Sequence, residues 1–227
     1  MPRTKITAPP PLELRDACIV AAQQVIAERG IENLSLREVA RKLGVSHQAP
    51  YKHYPSRDQL LAEVMRRCFQ RFAAHLDERP RSDNPAQDLE SLGVQYLSYA
   101  QQHPLEYRLL FSTTWPESAD QAGLVDDATH AFDVLRGVLR RIHGDSAAAR
   151  ELVELDALFI WSTVHGLAGV MNGQCINRLD LQAQVLKQAV AHAMNRLRHG
   201  LSAEVGTTPT RASEGVVLEA PRPDNTG

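Results

Sequence analysis

The chain has 227 residues, of which 43% are hydrophobic and 23% charged, with a formal net charge of −2. That composition suits one large globular domain or two small ones and excludes wholesale disorder. No apolar run approaches the roughly 18–20 residues of a membrane span, and the opening MPRTKITAPPP lacks the apolar stretch of a secretory signal.

Taken in chain order, residues 1–11 carry three consecutive prolines and read as a flexible arm. A first helix is expected over 12–29, burying Cys18, Ala21, Ala22, Val25 and Ile26 and stopping at Gly30. A second is expected over 35–42, where Leu36, Val39, Ala40 and Leu43 recur at helical spacing. Gly44 supplies its left-handed stop and Val45 a buried anchor. Ser46 can cap a third helix over 46–53. A fourth, over 56–78, buries Leu60, Leu61, Val64, Cys68 and Phe72. RPRSDNP at 79–85 breaks the pattern and is expected to be a domain junction. Beyond it come helices over 85–102, ending before Pro104, then 104–112, 118–143 with Gly144 as its stop, Ser146 to Gly173, and 180–199. Residues 201–227, rich in Thr, Ser, Pro and Gly, are expected to be a disordered tail. No stretch has the alternation of a strand, so the fold class is all-α: a helix-turn-helix domain at 12–78 and a helical body at 79–200.

Two short helices joined by a tight turn at 35–54, SLREVARKLGVSHQAPYKHY, form the pattern that places a second helix in the DNA major groove. Charge distribution agrees with it. Residues 1–79 carry 13 Lys and Arg against 9 Asp and Glu, whereas residues 80–227 carry 12 against 18. A basic head on an acidic body is the asymmetry expected where one end meets phosphates. The run from Leu14 to about Phe72 resembles the N-terminal domain of TetR-family transcriptional regulators. The resemblance rests on the Ala21–Ala22 pair, ERG at 28–30, LSLREVARKLGVS at 34–46 and YKHYPSRDQLL at 51–61. Ile26, Tyr54 and Arg57 depart from the residues common there but preserve size or charge.

On the third helix Val45 and Ala49 are expected to face inward, and Ser46, His47, Gln48 and Lys52 outward. His47 and Gln48 are the candidates for base contact, since Gln can make two bonds to adenine. The resemblance implies phosphate contacts from Tyr51, His53 and Arg57, and from Ser35 with the amides that open the second helix. Arg37 and Lys52 fit either role, and the arm at 1–11, with Arg3 and Lys5, is either a leader or a further DNA contact. Tyr54, like Tyr51, can alternatively pack in the core with its hydroxyl at the surface.

In the body, WSTVHG at 161–166 resembles the C-terminal domain of one TetR subgroup marked by a Trp-x-x-x-His-Gly motif. Trp161 and His165 are four apart and share one helix face. The family resemblance implies a homodimer formed by the last two long helices. Leu152, Leu155, Phe159 and Ser162 on one, with Leu181, Val185, Ala189, Ala193 and Leu197 on the other, supply apolar faces that would equally serve an intrachain core. It also implies a small organic effector bound in the body. Candidate lining residues are Tyr96, Tyr99, His103, Tyr107, Phe111, Trp115, Phe132, Trp161 and His165.

These features predict a DNA-binding regulator of an inverted-repeat site, a repressor released by a small ligand. A ligand-independent regulator or activator controlled by a protein partner is the alternative. Three cysteines, Cys18, Cys68 and Cys175, and nine scattered histidines show no metal spacing, so neither metal nor cofactor is expected. The odd cysteine count without a secretion signal fits a reducing cytoplasm. Acidic pairs such as Asp126–Asp127 and Glu151–Glu154 read as solvated helix faces, and with no nucleophile or phosphate loop beside them an enzyme is not expected.

Overall fold

A computed structural model describes residues 11–117, 121–173, 176 and 183–203. The described chain is all-α, as the sequence predicts. Its helices are α1 (Pro11–Arg29), α2 (Leu36–Leu43), α3 (Arg57–Asp77), α4 (Pro85–Gln102), α5 (Pro104–Phe111), α6 (Gln121–His143), α7 (Ala147–Asn172) and α8 (Ala183–Ala203). Short 3₁₀ turns occupy Ile31–Asn33 and Pro50–Lys52. The arm at 1–10 and the tail from 204 onward lie outside the described residues, as do 118–120 and 180–182 of the expected helices; α8 runs three residues past Gly200.

The helix ends follow local chemistry. The hydroxyls of Ser35, Ser56 and Ser146 accept from the amides of Glu38, Gln59 and Ala149, and the Asn84 side chain accepts from Ala86. Proline opens α4 and α5, where a missing amide costs least. Gly44 closes α2 at φ +66°, and its amide returns to the carbonyls of Ala40 and Arg41.

Segment 46–53 departs from expectation: it is not a regular helix. Residues 46–49 form a turn, and the 3₁₀ pitch continues through Lys52. Pro50 has no amide to return to the Ser46 carbonyl, which accepts from Ala49 instead at 3.0 Å. Ser46 therefore caps no α-helix.

One apolar core runs from Leu14 in α1 to Leu197 in α8. α1 packs on both α2 and α3, and the C-terminal half of α3, with Phe69, Phe72 and Leu76, enters the body, where α3 packs against α4, α5 and α6. The breaker at 79–85 is not a loose hinge. Arg79 is buried, its Nε lies 3.2 Å from Asp88, and Arg141 of α6 reaches the same carboxylate at 2.6 Å.

Candidate nucleic-acid interface and body cavity

The head presents one polar edge. Arg37, Ser46, His47, Gln48, Tyr51 and Lys52 are exposed, while Val45 and Ala49 pack inward against the core. This arrangement brings the base-reading candidates His47 and Gln48 together with Tyr51 and Lys52 on one turn. His53 is half-buried. α2 is pinned to α1 by Arg29–Glu38 at 2.9 Å and Lys42–Glu28 at 2.6 Å. The hydrogen bond from Arg41, with Arg29 nearby, holds the Glu38 carboxyl below its ordinary range. Both ion pairs are solvated, so they orient more than they stabilise.

Three residues of the head serve the scaffold. The Ser35 hydroxyl is the cap of α2. Tyr54 is buried and its hydroxyl donates to the Arg15 carbonyl at 3.2 Å, so it packs in the core. Arg57, expected as a phosphate contact, spends its guanidinium on protein: Nε donates to Leu34 O at 3.1 Å, Nη2 to Ile31 O at 3.0 Å, and Nη1 pairs with Asp58. It ties the start of α3 to the loop that leads into α2.

Within the body, α3, α4, α5, α6 and α7 enclose a cavity of about 430 Å³. Of the nine expected lining residues, six line it: Tyr96, Phe111, Trp115, Phe132, Trp161 and His165. Three do not. Tyr99 turns away and donates to Glu106 Oε2 at 2.7 Å, and His103 stacks on its ring at 4.8 Å. Tyr107 stands behind the wall, its hydroxyl 2.7 Å from His165 Nδ1. The sequence reading missed the floor, made by Phe69, Phe72 and Leu76 of α3 with Leu89, Leu92 and Gly93 of α4. The spacing 69, 72, 76 is that of one helix face and was the available signal. Gly93 makes room for α8: a methyl group there would meet the Met194 sulfur and force that side chain to shift.

The wall joins the head through ionic links. Asp127 of α6 accepts from Arg66 Nε and Gln70 Nε2 of α3, each at 3.1 Å. Arg66 also pairs with Glu63, Glu63 with Arg67, and Arg67 with Asp16 of α1 at 2.9 Å. Trp115 edges onto Phe69 at 6.0 Å and also lines a cleft containing Arg57 and Asp58. Among the described residues no group of side chains is placed to hold a metal ion, and no helix is long and apolar enough to cross a membrane.

An exposed turn beside a capped short helix, braced on a long helix whose far end walls an apolar cavity, defines a helix-turn-helix DNA-binding regulator. Two family models match: "Bacterial regulatory proteins, tetR family" over residues 19–64 and "Tetracyclin repressor-like, C-terminal domain" over 89–199. The chain belongs to the TetR family of DNA-binding transcriptional regulators. It is 24% identical over 204 residues to the HTH-type transcriptional regulator TcmR of Streptomyces glaucescens, covering 84% of this chain and 85% of that protein. It is 27% identical over 151 residues to the HTH-type transcriptional activator FasR of Mycolicibacterium smegmatis, covering 65% and 68%. A transcriptional regulator from Rhodococcus sp. Rha1 shares the fold at a TM-score of 0.60, with 24% identity over 83% of this chain and 96% of that one.

Proposed function

We propose that this chain is a homodimeric repressor whose two heads read an inverted-repeat duplex, and that a small, largely apolar effector in the body cavity releases it. The observation that carries the reading is α3. Its first turn holds the head through Arg57, and its last turns, with Phe69, Phe72 and Leu76, form the cavity floor. A ligand that moves α3 therefore moves the head. Release requires that the ligand favour the arrangement that does not bind DNA; shifting from 1:99 to 99:1 takes about 5.5 kcal/mol of differential affinity.

A second copy is supported by the outer face of α7. Leu155, Phe159 and Val170 are each more than half exposed, and Val185 of α8 is half exposed, while Leu158, also exposed, lies at the cavity rim. A run of large apolar side chains on a soluble chain marks an interaction surface. Ser162, Gly166 and Gly169 continue the face, and a side chain at either glycine would meet open space. Leu197, in contrast, is buried within the chain and belongs to the core rather than to a partner, and Leu181 lies outside the described residues. Trp161 and His165 of the subgroup motif face the cavity while Gly166 faces outward, which supports a motif serving both ligand and interface.

The test is selection of duplexes from random or genomic DNA. An enriched inverted repeat with half-sites about one helical turn apart is expected. Gln48→Ala should relax the preference at particular bases by roughly 1–3 kcal/mol. No enriched duplex would end the proposal. The name of the FasR relative favours a second reading, an activator; a reporter behind the selected duplex separates the two by the sign of its response.

A further inference from the structure

The chemistry of the cavity wall narrows the ligand class, a step that rests on the effector reading above. Seven aromatic rings, on Phe69, Phe72, Tyr96, Phe111, Trp115, Phe132 and Trp161, line the cavity, and none of the side chains lining it is a carboxylate, an ammonium or a guanidinium. The cation that comes near is separated from the interior. Arg136 lies over the Phe132 ring at 4.7 Å and is paired with both Asp133 and Glu154. A ligand carboxylate would be buried there without a counter-charge, which is strongly unfavourable.

Polar recognition is left to the Tyr96 hydroxyl, the His165 imidazole and the indole N–H groups of Trp115 and Trp161, the Trp161 N–H being directed at the Tyr96 oxygen. The Tyr107 hydroxyl sits 2.7 Å from His165 Nδ1, and the Tyr96 hydroxyl 3.0 Å from the same atom. A phenol at neutral pH donates, so Nδ1 is the acceptor and the imidazole proton resides on Nε2. Burial also pushes the imidazole below its ordinary value, which keeps it neutral. Nδ1 has one lone pair. The shorter bond from Tyr107 takes it, so the remaining partner of the Tyr96 hydroxyl proton is the Tyr107 oxygen at 3.5 Å, a long contact that a ligand acceptor can replace, and the His165 Nε2–H is the second donor at the cavity wall. We propose that the cavity selects an uncharged, flat ring compound carrying a carbonyl-type hydrogen-bond acceptor, which is read by Tyr96 and His165. The Tyr107 hydroxyl, out of reach of the ligand, is a positioning group that fixes the tautomer.

Three shape-matched probes test this by calorimetry on the full chain: 2-acetonaphthone, 2-ethylnaphthalene and 2-naphthoate. The ketone should bind about tenfold more tightly than the hydrocarbon, the worth of one good hydrogen bond, and the carboxylate at least about tenfold more weakly than the ketone. Tyr96→Phe keeps the ring packing and should shrink the ketone's advantage while leaving the hydrocarbon's affinity unchanged. A carboxylate that binds as tightly as the ketone overturns the proposal, as does a hydrocarbon equal to the ketone or a ketone preference untouched by Tyr96→Phe. Failure of all three probes to bind at millimolar concentration would remove the cavity reading as well. A ketone preference that leaves affinity for the selected duplex unchanged would refute the effector reading alone.

Discussion

Replacing Arg57 by Ala should weaken DNA binding without changing its dependence on salt. The guanidinium is committed to two main-chain carbonyls, Leu34 at 3.1 Å and Ile31 at 3.0 Å, and to Asp58 at 3.1 Å. A hydrogen bond to a charged group contributes about 1.5–3 kcal/mol when water is excluded. Here the side chain is 41% exposed and its carboxylate partner 42%, so the ion pair adds under about 1 kcal/mol and water replaces part of the rest. The net loss should be about 1–2 kcal/mol in the stability of the head, read by thermal or urea denaturation. DNA affinity should fall because the loop into Ser35 and α2 loosens. The slope of log K against log salt, from anisotropy titrations on the selected duplex, should stay at the wild-type value. Lys52→Ala supplies the contrast: Lys52 is exposed on the reading turn, so its loss should leave stability intact and lower the slope by about 0.9 per head. An Arg57→Ala chain with unchanged stability and a slope reduced by about 0.9 per head would refute the brace and restore Arg57 as a phosphate contact.

Phe159→Arg, at a position 55% exposed in the single chain, should leave folding intact yet shift the mass in solution from dimer to monomer, because it would bury an unpaired charge at the seam; an unchanged dimer by sedimentation places the interface elsewhere. Asp88→Ala strips Arg79, which is 5% exposed, of its buried carboxylate and should cost about 3 kcal/mol in urea denaturation; a loss under about 1 kcal/mol contradicts the buried pair. Burial pushes Tyr54 up to about 12 and Cys68 up to about 11, so the folded chain holds protons that the unfolded chain releases. Stability should be full below about pH 9 and fall as pH rises toward 12, and Tyr54→Phe should remove about 2 kcal/mol of that fall; an alkaline limb identical in Tyr54→Phe contradicts the assignment.

Helix boundaries were legible because the chain punctuates them. Asn84–Pro85, Pro104, Gly144 and Ser146 each end or open a helix in the structure, and a cap or stop is a local property of one or two residues. Segment 46–53 was misread for the same reason inverted: its polar–apolar pattern is helical, but a proline five residues in removes the bond that would hold the α pitch. The cavity was half legible. Tyr96 and Tyr99 are three apart, about 60° around the helix. Periodicity groups them, while only the placement of α5 and α7 decides that Tyr96 meets the cavity and Tyr99 meets Glu106. Arg57 was opaque because its partners are main-chain carbonyls, which every residue possesses.

The measurement that bears most directly on the central claim is the affinity of the dimer for its selected duplex with the cavity filled. Both tryptophans, Trp115 and Trp161, line that cavity, so a compound with a carbonyl-type acceptor that changes their fluorescence and binds more weakly after Tyr96→Phe is a cavity ligand. At saturation such a compound should lower duplex affinity at least about tenfold, and by linkage the duplex should weaken the compound by the same factor. Duplex affinity that stays unchanged while the compound is bound would contradict ligand-driven release.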